Sequence, residues 1–149
     1  MNILHVLVAV FFLGVACCPG AGQWFQEPEF TKTIHLSPEG DDRLGDGSQE
    51  KPFRTMGFAA GLAGPGTRIV LHEGTYLPDQ RIQNLQGTAE APIVISGVEM
   101  QSVVFDGGSL AFQISDPEYV IIENLTVQNA SANGINIDDG GTYDTPAHH

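Results

Sequence analysis

At 149 residues the chain is long enough for one domain with a core of its own. A formal net charge of −12, with 18 Gly and 9 Pro, indicates an acidic, turn-rich protein and argues against nucleic acid or an anionic membrane as partner. The same charge repels an acidic polysaccharide unless a divalent cation bridges the two.

Residues 1–22 read as a signal peptide, which predicts a secreted or extracytoplasmic protein. Val6 to Ala16 is an apolar run too short to span a bilayer comfortably, and small residues follow it through Gly22. The run lacks the usual basic start, since the first Lys or Arg is Lys32. An N-terminal membrane anchor and a lipid anchor on Cys17 or Cys18 are the competing readings. Removal of this segment takes both cysteines with it, so the fold is not a disulfide scaffold.

Residues 23–33 form an aperiodic leader containing Pro28, and Ile34-His35-Leu36 is the first expected strand. Ser37 to Pro52 is a polar loop carrying Asp41, Asp42 and Asp46. It does not follow the helix-loop-helix Ca²⁺ pattern, because counting from Asp42 the third position is Leu44 and the twelfth is Phe53. An irregular Ca²⁺ site on the three aspartates and a plain solvated turn are the two readings, and the pattern favours the turn. Pro52 to Ala63 predicts a helix, with Pro52 at the first helical position and Gly64-Pro65-Gly66 as the stop. Placed before the first strand of a repeat, such a helix would cap an otherwise bare apolar cross-section.

Short strand triplets then recur. One series begins at Ile69, Ile93, Phe112 and Ile135, a second at Val103 and Leu125, at intervals of about 19 to 24 residues. That period predicts a solenoid, whereas a β-sandwich places its strands about every 8–12 residues. The stretch from Tyr119 to Ile137 carries three such strands without hairpin turn chemistry between them, as the sides of one rung would be. The fold class expected is therefore all-β, a parallel β-helix with an N-terminal capping α-helix. Its core should hold Ile69, Leu71, Ile93, Ile95, Val103, Phe105, Ile114, Ile122, Leu125, Val127, Ile135 and Ile137. Asn124 and Asn129 both match the N-glycosylation pattern, but turn amides are the stronger reading, and Asn129 is the candidate for a buried one bonded to neighbouring backbone.

Residues 138–149 concentrate polar chemistry. Asp138, Asp139, Asp144, His148 and His149 are candidates for metal ligation or acid–base work, against the plainer reading of a polar loop. Nothing apolar follows Ile137 to fold back as a lid. The pattern is that of a solenoid truncated at its C-terminus, and the expectation is self-association through that open rung.

Taken in order, GDDRLGDGSQEKPFRTM, the helix, GPGTRIVLHEGTY, PIVISG and YVIIENLTVQNASANGINI resemble the N-terminal part of secreted right-handed parallel β-helix proteins of the pectin/pectate lyase-like superfamily. The resemblance covers residues 34–149. It implies a right-handed coil and a carbohydrate-active protein, a polysaccharide lyase acting on uronate polymers when full length. The alternative is a non-catalytic β-helix module that binds glycans or other surface proteins. No lyase motif is matched, so no catalytic residue is carried over and the isolated chain is expected to be inactive. Ca²⁺ is the one cofactor in view, and a polysaccharide or surface glycan the partner.

Overall fold

The computed structural model describes residues 28–139. It is all-β apart from one short helix. Ten strands form in chain order: β1 (Lys32–Leu36), β2 (Thr67–Leu71), β3 (Gly74–Tyr76), β4 (Gln80–Gln83), β5 (Ile93–Gly97), β6 (Val103–Asp106), β7 (Phe112–Ser115), β8 (Val120–Glu123), β9 (Thr126–Gln128) and β10 (Ile135–Asp138). The helix α1 (Met56–Gly61) lies between β1 and β2.

Every strand pairing is parallel. The strands make three sheets, ordered β1–β2–β5–β8, β3–β6–β9 and β4–β7–β10. From β2 onward the chain visits the three sheets in the same order three times, giving three successive circuits of three strands. This arrangement is compatible with a parallel β-helix. Register stacks like on like: Ile34, Ile69, Ile95 and Ile122 stand in one row, and Ile82, Ile114 and Ile137 in another.

Alternation explains the strands. In β2 and β7 every second side chain is buried, the period-2 pattern of a sheet with one face on the core. At the centre, the Phe105 ring stacks on Tyr76 and meets the edge of Phe112, with both centroid distances 5.3 Å. The Tyr76 hydroxyl lies 2.8 Å from the His72 carbonyl oxygen and 3.0 Å from that of Leu36. Each circuit also lies directly on the next. A Cβ at Gly97 would sit 1.8 Å from the Asn124 carbonyl oxygen, so only glycine lets that turn approach.

Several expectations need correction. The helix spans Met56–Gly61 rather than 52–63. Phe53 is taken by a parallel bridge to Leu36, and Thr55 is extended and caps the helix by accepting from the Phe58 N–H. Nor does α1 precede the first strand, because β1 already pairs with β2; the helix packs on β4 and β1. The series from Ile69 to Ile135 is really two: Ile69 and Ile93 belong to one sheet, Phe112 and Ile135 to another.

The core holds most of the expected residues, with Ile69, Leu71, Ile93, Ile95, Val103, Phe105, Ile114 and Leu125 buried. Ile122, Val127 and Ile135 are only partly covered, and Ile137 is 54 % exposed. These lie in the third circuit, where no described strand stacks on the far side. Asn129 is exposed and donates from Nδ2 to an Asp106 carboxylate oxygen at 2.7 Å, instead of being buried against backbone. Among the described residues no helix is long and apolar enough to cross a membrane.

Candidate functional site

The strands β4, β7 and β10 read QRIQ, FQIS and INID. Their inward positions are apolar except Gln80, whose amide accepts from the Met56 N–H and donates to the Leu77 carbonyl, so alternation puts Arg81 and Gln83, Gln113 and Ser115, and Asn136 and Asp138 on the outer face. Parallel register then aligns Arg81 with Gln113 and Asn136, and Gln83 with Ser115 and Asp138. The outcome is an unbroken polar surface across three circuits.

Those side chains are wired together. Arg81 Nη1 donates to Gln113 Oε1 at 2.8 Å, and Gln113 Nε2 donates to Asp138 Oδ2 at 2.5 Å. Asn136 Nδ2 donates to the same carboxylate oxygen at 3.2 Å. Gln113 suits the middle place because an amide accepts at one end and donates at the other. A cation, an amide and a carboxylate thus run across strands about 4.8 Å apart. Arg81 is the one cation that these three strands carry.

Beside Arg81 a shallow cleft is lined by Asp79, Ser109 and Leu110. Asp79 has a φ of 59°, and its Oδ1 accepts from the backbone N–H groups of Ser109 at 2.9 Å and Leu110 at 3.1 Å. That bond holds the turn before β4 to the turn before β7. At another corner Asp106 accepts from the Asn129 and Gln128 amides, and these bonds, Asn129 first, hold its carboxyl below the usual carboxylate range.

The residues singled out from sequence fall in several places. Asp138 belongs to the outer ladder and Asp139 follows it directly. Asp144, His148 and His149 lie outside the described residues. Asp41, Asp42 and Asp46 each serve a different piece of backbone. Asp41 accepts from the N–H groups of Arg43 and Leu44, and Asp46 from that of Ser48. Asp42 accepts from the N–H groups of Arg54 and Thr55 and from the Thr55 hydroxyl at 2.7 Å. Among the described residues no three His, Cys, Asp or Glu side chains group as a metal ion would require. The sequence alone assigns Arg81, Gln113 and Asn136 no role. Their signal was a polar residue just before an apolar inward one, Ile82, Ile114 and Ile137, in three short strands.

The outer face can offer donors and acceptors at regular spacing to a hydroxyl-rich ligand, with one guanidinium for a carboxylate. Other cations are engaged elsewhere: Lys32 Nζ donates to the Leu62 carbonyl at 2.9 Å, and Arg68 lies under the Phe30 ring on the β1–β2–β5–β8 sheet.

No protein-family model matches the chain. It is 34 % identical over 106 residues to "Uncharacterized protein YwoF" of Bacillus subtilis (strain 168), a match covering 66 % of this chain and 22 % of that protein. It is 38 % identical over 78 residues to pectate lyase PEL9 of Emericella nidulans, covering 52 % of this chain and 19 % of that protein. The matched part spans about a fifth of the length of these curated relatives. The likeness to a pectate lyase, with the parallel sheets, points to a pectate lyase-like β-helix and hints at a carbohydrate-active protein.

Proposed function

We propose that the chain forms circuits of a secreted right-handed parallel β-helix whose β4–β7–β10 face binds an acidic polysaccharide. The observation that carries this reading is the outer ladder Arg81–Gln113–Asp138, with Asn136 beside it. Hydrogen-bonding groups repeated along parallel strands suit a polymer of repeating sugars better than a compact ligand. Arg81 supplies a partner for a uronate carboxylate. The likeness to a pectate lyase supports the same ligand class and an extracellular location.

Lyase chemistry on a uronate polymer needs a base to remove the C5 proton as the C4–O bond breaks, and a cation to stabilise the anion formed. Arg81 can meet the carboxylate, but Asp138, the one carboxylate on these three strands, accepts from the Gln113 and Asn136 amides. The activity of a whole lyase-like protein is therefore assigned to circuits other than these, and the described face to binding. Because the net charge of −12 opposes an acidic polymer, Ca²⁺ should strengthen binding, with Asp138 on the face as its protein-side carboxylate.

Calorimetric titration of the chain with galacturonate oligomers, with and without Ca²⁺, tests this. Replacing Arg81 by Ala should weaken binding about tenfold, the loss of one charge-assisted contact. Absorbance of the new double bond should stay flat throughout. Equal binding of a neutral glucan, or no effect of the Arg81→Ala change, would remove the acidic-polymer reading. Unsaturated product would place catalysis in this chain.

A further inference from the structure

His35 and His72 come from different circuits and meet on the outer side of the β1–β2–β5–β8 sheet. His35 Nδ1 lies 3.0 Å from His72 Nε2, with the rings stacked at a centroid distance of 5.2 Å and an interplanar angle of 27°. The two nitrogens have room for one proton between them, so one ring donates and the other accepts.

The backbones of both residues hold the edges of the first circuit. The His35 N–H donates to the Gly47 carbonyl at 2.8 Å, and its carbonyl accepts from the Phe53 N–H at 3.0 Å, so His35 grips the 37–53 segment at two points. The His72 N–H donates to the Leu36 carbonyl at 2.9 Å, and its carbonyl accepts from Tyr76 Oη. The imidazole contact therefore ties β1, whose backbone carries the 37–53 segment, to the corner between β2 and β3. We propose that the His35–His72 pair is an acid-sensitive latch that holds the 37–53 segment on the first circuit and releases it when both rings are protonated.

The charged surroundings fit a two-step response. Glu50, from the 37–53 segment, favours a proton on His35, while burial and then the His72 charge oppose it, and the opposing influences prevail. One shared proton is compatible with the contact; a second puts two cations 3.0 Å apart. Tyr76, the other titratable group at the corner, is pushed far above this range by burial. Asp41 and Asp46, within the segment, are held below the ordinary carboxylate value of 3.8 and do not change charge in the same window. The sign is fixed by linkage. A histidine whose pKa is lowered by the closed contact favours closure above its ordinary value of 6.5, and that preference is lost as the pH falls below it.

Hydrogen–deuterium exchange of the full chain at about pH 7.5 and about pH 5, corrected for the intrinsic rate, reads the latch. Exchange across residues 37–53 should rise about tenfold on acidification in the wild type and stay flat in His72→Gln, which can still hydrogen-bond but does not titrate. An unchanged wild type, or an equal rise in the variant, would overturn the proposal. If His72→Gln fails to fold, imidazole resonances of the wild type decide. Protonation of the His35 ring below the ordinary value of 6.5 is expected, and protonation at or above it would overturn the proposal.

Discussion

The inner and outer faces of β7 are neighbours in sequence and obey different rules. Phe112 and Ile114 point inward and are 0 % and 1 % exposed, while Gln113, between them, faces out and joins a ladder built from three circuits. The inner face needs only apolar volume at every second place. The outer face needs particular groups at particular register positions on strands more than twenty residues apart. One face is a matter of pattern, the other of identity.

That contrast sets the size of the effects expected. Ile114→Ala should cost about 2–5 kcal/mol of stability, as deletion in a closed core does, measured by denaturant unfolding. Ile137→Ala, in the same register row but 54 % exposed, should cost about 1 kcal/mol or less. Equal losses at the two positions would mean that the third circuit is covered as fully as the second. Gln113→Ala should change stability by no more than about 0.5 kcal/mol and weaken glycan binding instead. A large loss of stability there would make the ladder structural.

Acid probes the outer layer more gently. Asp41 is held below its ordinary value first by the Arg43 N–H, Asp46 by Ser48 and Asp106 by Asn129. For such groups the stabilisation is fully present above the unfolded value of 3.8 and is lost as the pH falls through their lower folded values. All three are exposed, so their own contribution to the midpoint of unfolding should change only slightly between about pH 6 and about pH 4 and fall faster below that. A steep loss near neutral pH would have to come from another group.

The same contrast explains what the sequence made legible. The recurrence of Ile69, Ile93 and Val103 with their apolar alternates gave away short parallel strands and most of the core. It could not say which wall a triplet belongs to, because FQIS and IVIS both carry apolar residues at their first and third places; only the pairing separates Phe112 from Ile93. The helix was placed too long because Pro52 and Phe53 suit a helix start locally, yet the long-range bridge to Leu36 takes Phe53. For the aspartates of the 37–53 segment the sequence favours a turn over a Ca²⁺ site, but clustering in sequence does not reveal that each caps separate backbone N–H groups. Arg81 and Asn136 carry no role in the sequence since neither is unusual alone, and their alignment through Gln113 exists only once β4, β7 and β10 are stacked.

The most direct measurement is a titration of isotopically labelled chain with a short galacturonate oligomer, followed by NMR shifts of backbone and side-chain amides. Shifts should gather on β4, β7 and β10, led by the side-chain amides of Gln113 and Asn136. The outer residues Val70, Val94 and Ile121 of the β1–β2–β5–β8 sheet should stay still. Shifts centred on that second sheet, or none at saturating ligand, would contradict the assignment of binding to the β4–β7–β10 face.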